Sequence, residues 1–223
     1  MIADMTARML LEAGAVRYSA ERPFFLASGW ASPVYIDVQR LISFPRIRRA
    51  LMDLASEVVL TGAGFEQFDA VAGVESSGIA YGAWIAERLS LPLQYVRRKP
   101  RGFGPESQIE GTLRAGARVL LVDDITTDGR SKIEMCRALR AMQASVDHVL
   151  VMFFYDVFSE ARTLFKELRI ELHYLATWRD VLVAARASGY FLPPAVEQVE
   201  RFLENPARWS LEHGGIGAFP RGS

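Results

Sequence analysis

The stretch Val119-Leu120-Leu121-Val122-Asp123-Asp124-Ile125-Thr126-Thr127-Asp128-Gly129-Arg130-Ser131-Lys132 decides the fold. Four apolar residues in a row read as a fully buried strand that ends in two adjacent carboxylates. The Thr/Gly/Ser turn behind them then opens a helix over 131–142. In doubly wound sheets ligands gather at the carboxyl ends of the strands. Free N–H groups of such a turn and of the helix start suit a phosphate, and Gly129 and Ser131 are small enough to let it approach. Asp123 and Asp124 cannot both meet a phosphate, but they can accept hydrogen bonds from a pair of ribose hydroxyls. Taken alone, the Asp pair is equally well read as a solvated strand end. With the whole run, acidic residues beside a phosphate cradle describe a ribose-5-phosphate site.

Outward from this run, short apolar segments at 68–74, 91–96, 146–156 and 170–177 alternate with helical stretches at 78–90, 131–142 and 160–168. Near-continuous apolar strands alternating with helices mark an α/β fold with a parallel sheet covered on both faces. Ahead of it, Met5, Met9, Leu10 and Ala13 predict an amphipathic helix ended by Gly14, and 17–44 reads as short strands and turns. Pro45 starts a further helix with Ile47, Leu51, Leu54, Val58 and Val59 as its stripe. The predicted organisation is an N-terminal helix and hood over 1–44, an α/β core over 45–190, and a C-terminal helix and tail over 191–223. The connection 97–116, about 20 residues rich in Gly and Pro, far exceeds the usual ~4–6 and reads as a lid or binding loop. The glycine-rich tail around 213–217 is expected to fray.

Composition narrows the function. The 223 residues are half hydrophobic and carry 26 basic against 26 acidic side chains, so the zero net charge argues against general nucleic-acid or anionic-membrane binding. Cys136 is the single cysteine, which excludes an intramolecular disulfide and a cysteine-based metal cage. No apolar run approaches ~18 residues, and Asp4, Arg8 and Glu12 break the opening, so neither a membrane span nor a signal peptide is expected. A cytoplasmic setting follows as the expectation. Cys136, His148 and His173 read as core residues, and His213 belongs to the tail.

The 119–132 run resembles the signature of the type I phosphoribosyltransferases, which bind 5-phosphoribosyl 1-diphosphate (PRPP). Three further segments sharpen the resemblance to the orotate phosphoribosyltransferases within that family. Leu26-Ala27-Ser28-Gly29-Trp30-Ala31-Ser32-Pro33-Val34-Tyr35-Ile36-Asp37 is similar to the family's N-terminal segment, and Gly73-Val74-Glu75-Ser76-Ser77-Gly78-Ile79 to its diphosphate turn. Tyr95-Val96-Arg97-Arg98-Lys99-Pro100-Arg101-Gly102-Phe103-Gly104, followed by Ile109-Glu110-Gly111, is similar to its flexible catalytic loop. The matches occur in family order over about 24–132.

The resemblance implies Mg²⁺-dependent transfer of the ribosyl 5-phosphate from PRPP to orotate, giving orotidine 5′-monophosphate and diphosphate in pyrimidine biosynthesis. It assigns catalysis to Arg101, Asp123 and Asp124. PRPP would be held by Arg97, Arg98, Arg101, Asp123, Asp124 and the turn Ile125, Thr126, Thr127, Asp128, Gly129, Arg130 and Ser131. Glu75, Ser76 and Ser77 would form the diphosphate turn; Ser28, Tyr35, Ile36 and Thr127 would face the base. The magnesium is expected to be held mainly through PRPP, with no protein-built metal cage, and the chain to work as a homodimer with shared sites.

The chain departs from the family pattern at several places. Ala27 stands where a lysine is usual, Arg101 and Phe103 where the loop carries Lys and His, and Thr126 and Asp128 where aliphatic and small residues are usual. Asp156-Val157 stands where an arginine would meet the orotate carboxylate, with Arg162 or Arg179 as possible substitutes. A phosphoribosyltransferase for another base and a catalytically silent PRPP- or nucleotide-binding regulator are the alternatives these departures leave open.

Overall fold

The computed structural model describes residues 1–19, 21–102 and 104–219; Phe103 lies outside them. Helix α1 (Ile2–Glu12) buries Ala7, Leu10 and Leu11 along one stripe, and Gly14 ends it. Four short strands follow: β1 (Val16–Tyr18), β2 (Phe24–Phe25), β3 (Ala31–Ser32) and β4 (Val34–Ile36). Strand β1 pairs antiparallel with β4, and β2 with β3, which makes a small hood. A 3-10 turn over Val38–Ser43 leads into α2 (Pro45–Ala63), with Pro45 at the first helical position.

The core runs β5 (Ala70–Val74), α3 (Ser77–Leu89), β6 (Leu93–Val96), β7 (Ile109–Glu110), β8 (Arg118–Thr126), α4 (Arg130–Ala141), β9 (Ser145–Phe154), α5 (Ser159–Glu167) and β10 (Glu171–Thr177). Helices α6 (Trp178–Ser188), α7 (Pro193–Glu204) and α8 (Pro206–Glu212) complete it. The six-stranded sheet has the order β10-β9-β8-β5-β6-β7, with all neighbours parallel except β7 against β6. From β5 the chain goes one way to β6, then crosses back to β8 and continues the other way. The order therefore reverses between β5 and β8, and a crevice opens at their carboxyl ends.

Side chains alternate across the sheet as period two requires. Val71, Leu120, Val122, Leu150 and Met152 join the apolar cluster containing Leu10, Leu51, Tyr81, Trp178 and Phe202, which runs without a break through the hood helix, α2, α3, α6 and α7. Ala72, Leu121, Val149 and Val151 face the other cluster, with Cys136, Leu139 and Phe165 of α4 and α5. Helix α3 lies almost on the backbone of the sheet. A Cβ at Gly78 would stand 2.7 Å from the Val122 carbonyl oxygen and 2.8 Å from Asp123 Oδ1, so only hydrogen fits there.

Three local expectations are corrected. Strand β8 does not stop at the carboxylates but carries them inside it to Thr126, because β9 pairs with it as far as Thr126↔Phe154. The 97–116 connection, read as one loop between two strands, contains a further short strand: β7 returns along the edge of β6. The glycine-rich tail is held rather than frayed over its described part. Ala31 N donates to Ser210 Oγ (2.9 Å), Gly215 N to the Ser210 carbonyl (2.8 Å) and Ile216 N to the Gly29 carbonyl (3.1 Å), so the tail is stitched to the hood.

Candidate active site

A cleft of about 770 Å³ opens over the carboxyl end of β8. Its floor is the segment 125–132 that joins β8 to α4, and one wall is the hood at Phe25–Ser28, Tyr35 and Ile36. Arg98, Tyr155 and Phe219 close the remaining sides. The turn forms because Gly129 adopts φ +80 as the N-cap of α4, where a Cβ would also come within 2.8 Å of the Phe165 ring. An L side chain is excluded there on both counts. Asp128 Oδ1 accepts the Arg130 N–H at 3.2 Å, so this carboxylate caps the turn from within.

Under the floor lies a buried charged pair. Lys132 Nζ meets Asp123 Oδ2 at 2.6 Å, with both side chains shielded from solvent. Asp124 is the next residue of the strand and is 5% exposed. Burial, reinforced by the Asp123 charge, pushes Asp124 up to about 7, and a hydrogen bond from Ser77 works against the rise. Ser77 sits at the start of α3, so this contact joins the Glu75–Ser77 turn to the carboxylate pair across the switch point.

Glu75 is the hub on the other side. Its carboxylate accepts from Arg97 Nη1 (3.3 Å) and from the Arg98 backbone N–H (3.1 Å), and its carbonyl accepts from Arg98 Nε (2.8 Å). Arg97 is buried and also bonds Glu110 (2.8 Å) and the Tyr95 hydroxyl (3.0 Å). It thus clamps the root of the long loop to β7. Gln108 reinforces the root by donating to the Arg97 carbonyl (2.8 Å). Arg98, Lys99 and Arg101 are exposed beyond that root, and of the three only Arg98 lines the cleft.

The hood wall holds Ser28, Tyr35 and Ile36, and Thr127 faces them across the cleft. Among the described residues, Ser28 Oγ is shielded from solvent without a hydrogen-bond partner. Such a hydroxyl inside a cleft is a ready donor or acceptor for a bound polar molecule. The outer wall is aromatic. Phe219 packs on Trp30 (5.3 Å between centroids) and Phe158 (5.2 Å), with the Arg130 guanidinium 4.8 Å over its ring.

The structure therefore brings Ser28, Tyr35, Ile36, Arg98 and the turn from Ile125 to Ser131 to one cleft, above Asp123 and Asp124. Glu75, Ser76 and Ser77 stand next to it at the end of β5, whereas Arg97 and Arg101 do not line it. Neither substitute for the missing carboxylate arginine does so either. Arg162 is held by Asp156 through two 2.7 Å bonds, and Arg179 lines a groove between α6 and α7.

Comparison with known proteins agrees with this geometry. Residues 37–164 match the phosphoribosyl transferase domain family. The chain is 49% identical over 221 residues to the orotate phosphoribosyltransferase of Agrobacterium fabrum, covering 99% of this chain and 95% of that one. The chain is a member of the orotate phosphoribosyltransferase family. It is 50% identical over 212 residues to the Dinoroseobacter shibae orotate phosphoribosyltransferase, covering 95% of this chain and 94% of the relative. Among solved structures, the Aeropyrum pernix orotate phosphoribosyltransferase aligns with TM-score 0.70 at 33% identity over 83% of this chain and 99% of that one. The Leishmania donovani UMP synthase aligns with TM-score 0.77 at 27% identity over 90% of this chain; the chain spans 42% of that longer protein.

Phe25, Lys132, Glu134, Tyr155 and Phe219 line the cleft without being assigned to it by the sequence motifs. The place of Lys132 in the first turn of α4, directly after an acidic strand end, is the one sequence signal of its pairing with Asp123. Tyr155 and Phe219 carry no local motif; they reach the cleft only through tertiary packing.

Proposed function

We infer that the protein joins orotate to PRPP, releasing diphosphate and forming orotidine 5′-monophosphate. The observation that carries this reading is the cleft itself: a backbone-lined turn at a helix start beside two buried carboxylates, closed by a hood that holds an unpartnered hydroxyl. The N–H groups around Thr127 to Ser131 receive the 5-phosphate, where the start of α4 favours negative charge. Asp123 and Asp124 accept hydrogen bonds from the ribose hydroxyls. Asp123 holds its position because Lys132 anchors it. The diphosphate lies toward Glu75, Ser76 and Ser77, within reach of Arg98.

Orotate rests against Ser28, Tyr35 and Ile36. Its ring nitrogen attacks the anomeric carbon as the C–O bond to diphosphate breaks and gives up its proton to the departing diphosphate, so positive charge develops on the ribose and negative charge on the leaving group. The cations around the cleft neutralise the second. Asp123 and Asp124, under the floor, offer the hard oxygen donors that Mg²⁺ prefers, so on the protein side these two carboxylates would hold the ion, with PRPP supplying its other ligands. The ion supplies charge neutralisation at the diphosphate. The exposed loop cations Lys99 and Arg101 close over the leaving group and exclude water. Arg101, lying off its own cleft, serves the partner's site in a homodimer. A cytoplasmic setting belongs to the same reading.

The test mixes purified protein with PRPP and Mg²⁺ and follows orotate by its ultraviolet absorbance. Consumption of orotate that is lost in Arg101→Ala establishes the reaction and the role of the loop. Binding of PRPP with no turnover of orotate would overturn the base assignment. Mixing Arg101→Ala with Asp124→Asn chains tests the shared site: activity returns in the mixture if one intact cleft can borrow the loop of its partner.

A further inference from the structure

At the opposite end of the sheet from the cleft, the sequence places Glu171-Leu172-His173 on β10 and His148 on β9. Glu171 pairs directly with His148 in the parallel register, and His173 lies two residues on, so all three side chains emerge on one face. Three donor atoms meet there. His148 Nδ1 is 3.0 Å from His173 Nε2 and 3.7 Å from Glu171 Oε2, and all three lie within 4.8 Å of one another. No other group of this kind exists among the described residues.

We propose that His148, Glu171 and His173 form a binding site for a divalent transition-metal cation, with Zn²⁺ as the best-matched ion. Two imidazole nitrogens and one carboxylate oxygen are the donor set such ions prefer over magnesium. Two ligands about 2.0–2.1 Å from one tetrahedral ion stand about 3.3 Å apart, so the 3.0 and 3.7 Å spacings around His148 need adjustments of a few tenths of an ångström, and rotation of the exposed Glu171 side chain closes the third spacing, which lies within 4.8 Å. The rings are held in advance: His148 packs edge-on against Phe68, with centroids 5.4 Å apart, and His173 is buried.

The last turn of α2 caps the cluster. A Cβ at Gly62 would stand 3.1 Å from His173 Nδ1 and 3.8 Å from Glu171 Oε1. The negative end of a helix dipole therefore faces the site, which favours a cation. Glu171 and, in part, His148 reach solvent, so an ion can enter and water can complete its coordination. A hydrogen bond between two neutral imidazoles accounts for the 3.0 Å contact alone, but not for the converging carboxylate or the helix end.

The experiment titrates the metal-stripped full chain with Zn²⁺ against a competing chelator, with a parallel Co²⁺ titration read by its visible d–d bands. One Zn²⁺ per chain, unaffected by excess Mg²⁺, with the intense bands of tetrahedral Co²⁺, is the expected result. Glu171→Gln, an exposed and nearly isosteric change, is expected to weaken binding by at least about tenfold, and His148→Asn by more. Orotate turnover by Glu171→Gln is expected to remain at the level of the unaltered protein, since the site lies away from the cleft. No saturable zinc binding, or affinity unchanged in both variants, overturns the proposal. So does zinc binding abolished by Asp124→Asn alone, which would place the ion in the cleft.

Discussion

The floor of the cleft comes from one contiguous segment, 125–132, at the end of β8, whereas its walls are assembled from the hood at 25–36, Tyr155 and Phe219, which packs on Phe158. The floor rests on the centre of the sheet and carries buried charge. The outer wall rests on aromatic packing and on backbone bonds such as Ala31 N to Ser210 Oγ, which link residues 179 positions apart. Under the proposed function, the difference teaches where each part of the reaction is encoded. Holding a sugar phosphate needs backbone and carboxylates at fixed spacing, which a strand, turn and helix supply within a dozen residues. Choosing a base needs a shaped surface, which distant segments supply together.

The sharpest way to break this division is to disable the floor alone. Asp123→Asn is expected to lower kcat/KM about 10³-fold, as losing a group that positions the reacting sugar does, and to leave the Lys132 ammonium buried without its ion pair. Breaking one partner of a buried pair costs about 3–5 kcal/mol, so chemical denaturation should show a clear loss of stability. Steady-state kinetics with near-normal turnover would show that the carboxylate is structural.

A smaller effect is expected from Gly78→Ala. Its Cβ would meet the Val122 carbonyl oxygen and Asp123 Oδ1, pushing α3 off the sheet at a cost of about 1–3 kcal/mol. Calorimetry should show a lower Tm, and PRPP affinity should fall with it, since the same contact displaces Asp123.

The outer wall is tested by Phe219→Ala. Orotate KM is expected to rise about tenfold, the loss of a well-packed aromatic contact, while PRPP KM changes less than twofold. Equal changes in both would mean that the tail supports the phosphate turn through Arg130 rather than the base.

The smallest effect concerns pH. Asp124 has its pKa raised to about 7. Its carboxylate, the better acceptor for ribose hydroxyls, forms as pH rises. PRPP affinity should therefore climb about fourfold from pH 6.5 to pH 8, the change in ionised fraction of one such group. Stability of the ligand-free protein should move the other way. A carboxyl whose folded pKa is raised contributes stability that is fully present below about 4 and lost as pH rises through about 7. Asp124→Asn should flatten both profiles.

Sequence made the floor legible and the walls much less so. The Val119 to Val122 run, the Asp pair and Gly129 each have one physical explanation, and together they point to one place in an α/β sheet. Strand β8 nonetheless extends through the carboxylates, because pairing with β9 outweighs the low strand propensity of aspartate. Four cations in five residues read as one lid, yet Arg97 is buried by partners at Glu75 and Glu110 that spacing alone could not supply. The tail read as frayed because glycine and histidine look like slack. In the fold, Gly215 and Ile216 bond Ser210 and the Gly29 carbonyl, and His213 stacks on Trp209 at 3.7 Å.

Cys136 is fully buried on α4, and burial pushes its thiol up to about 12. Such a thiol is inert to alkylating reagents at neutral pH. Since it is the single cysteine of the chain, any cysteine introduced at the surface becomes the sole reactive sulfur. A fluorophore attached through Ser107→Cys, on the loop between β6 and β7, would report how that loop responds to PRPP with no background from the rest of the molecule.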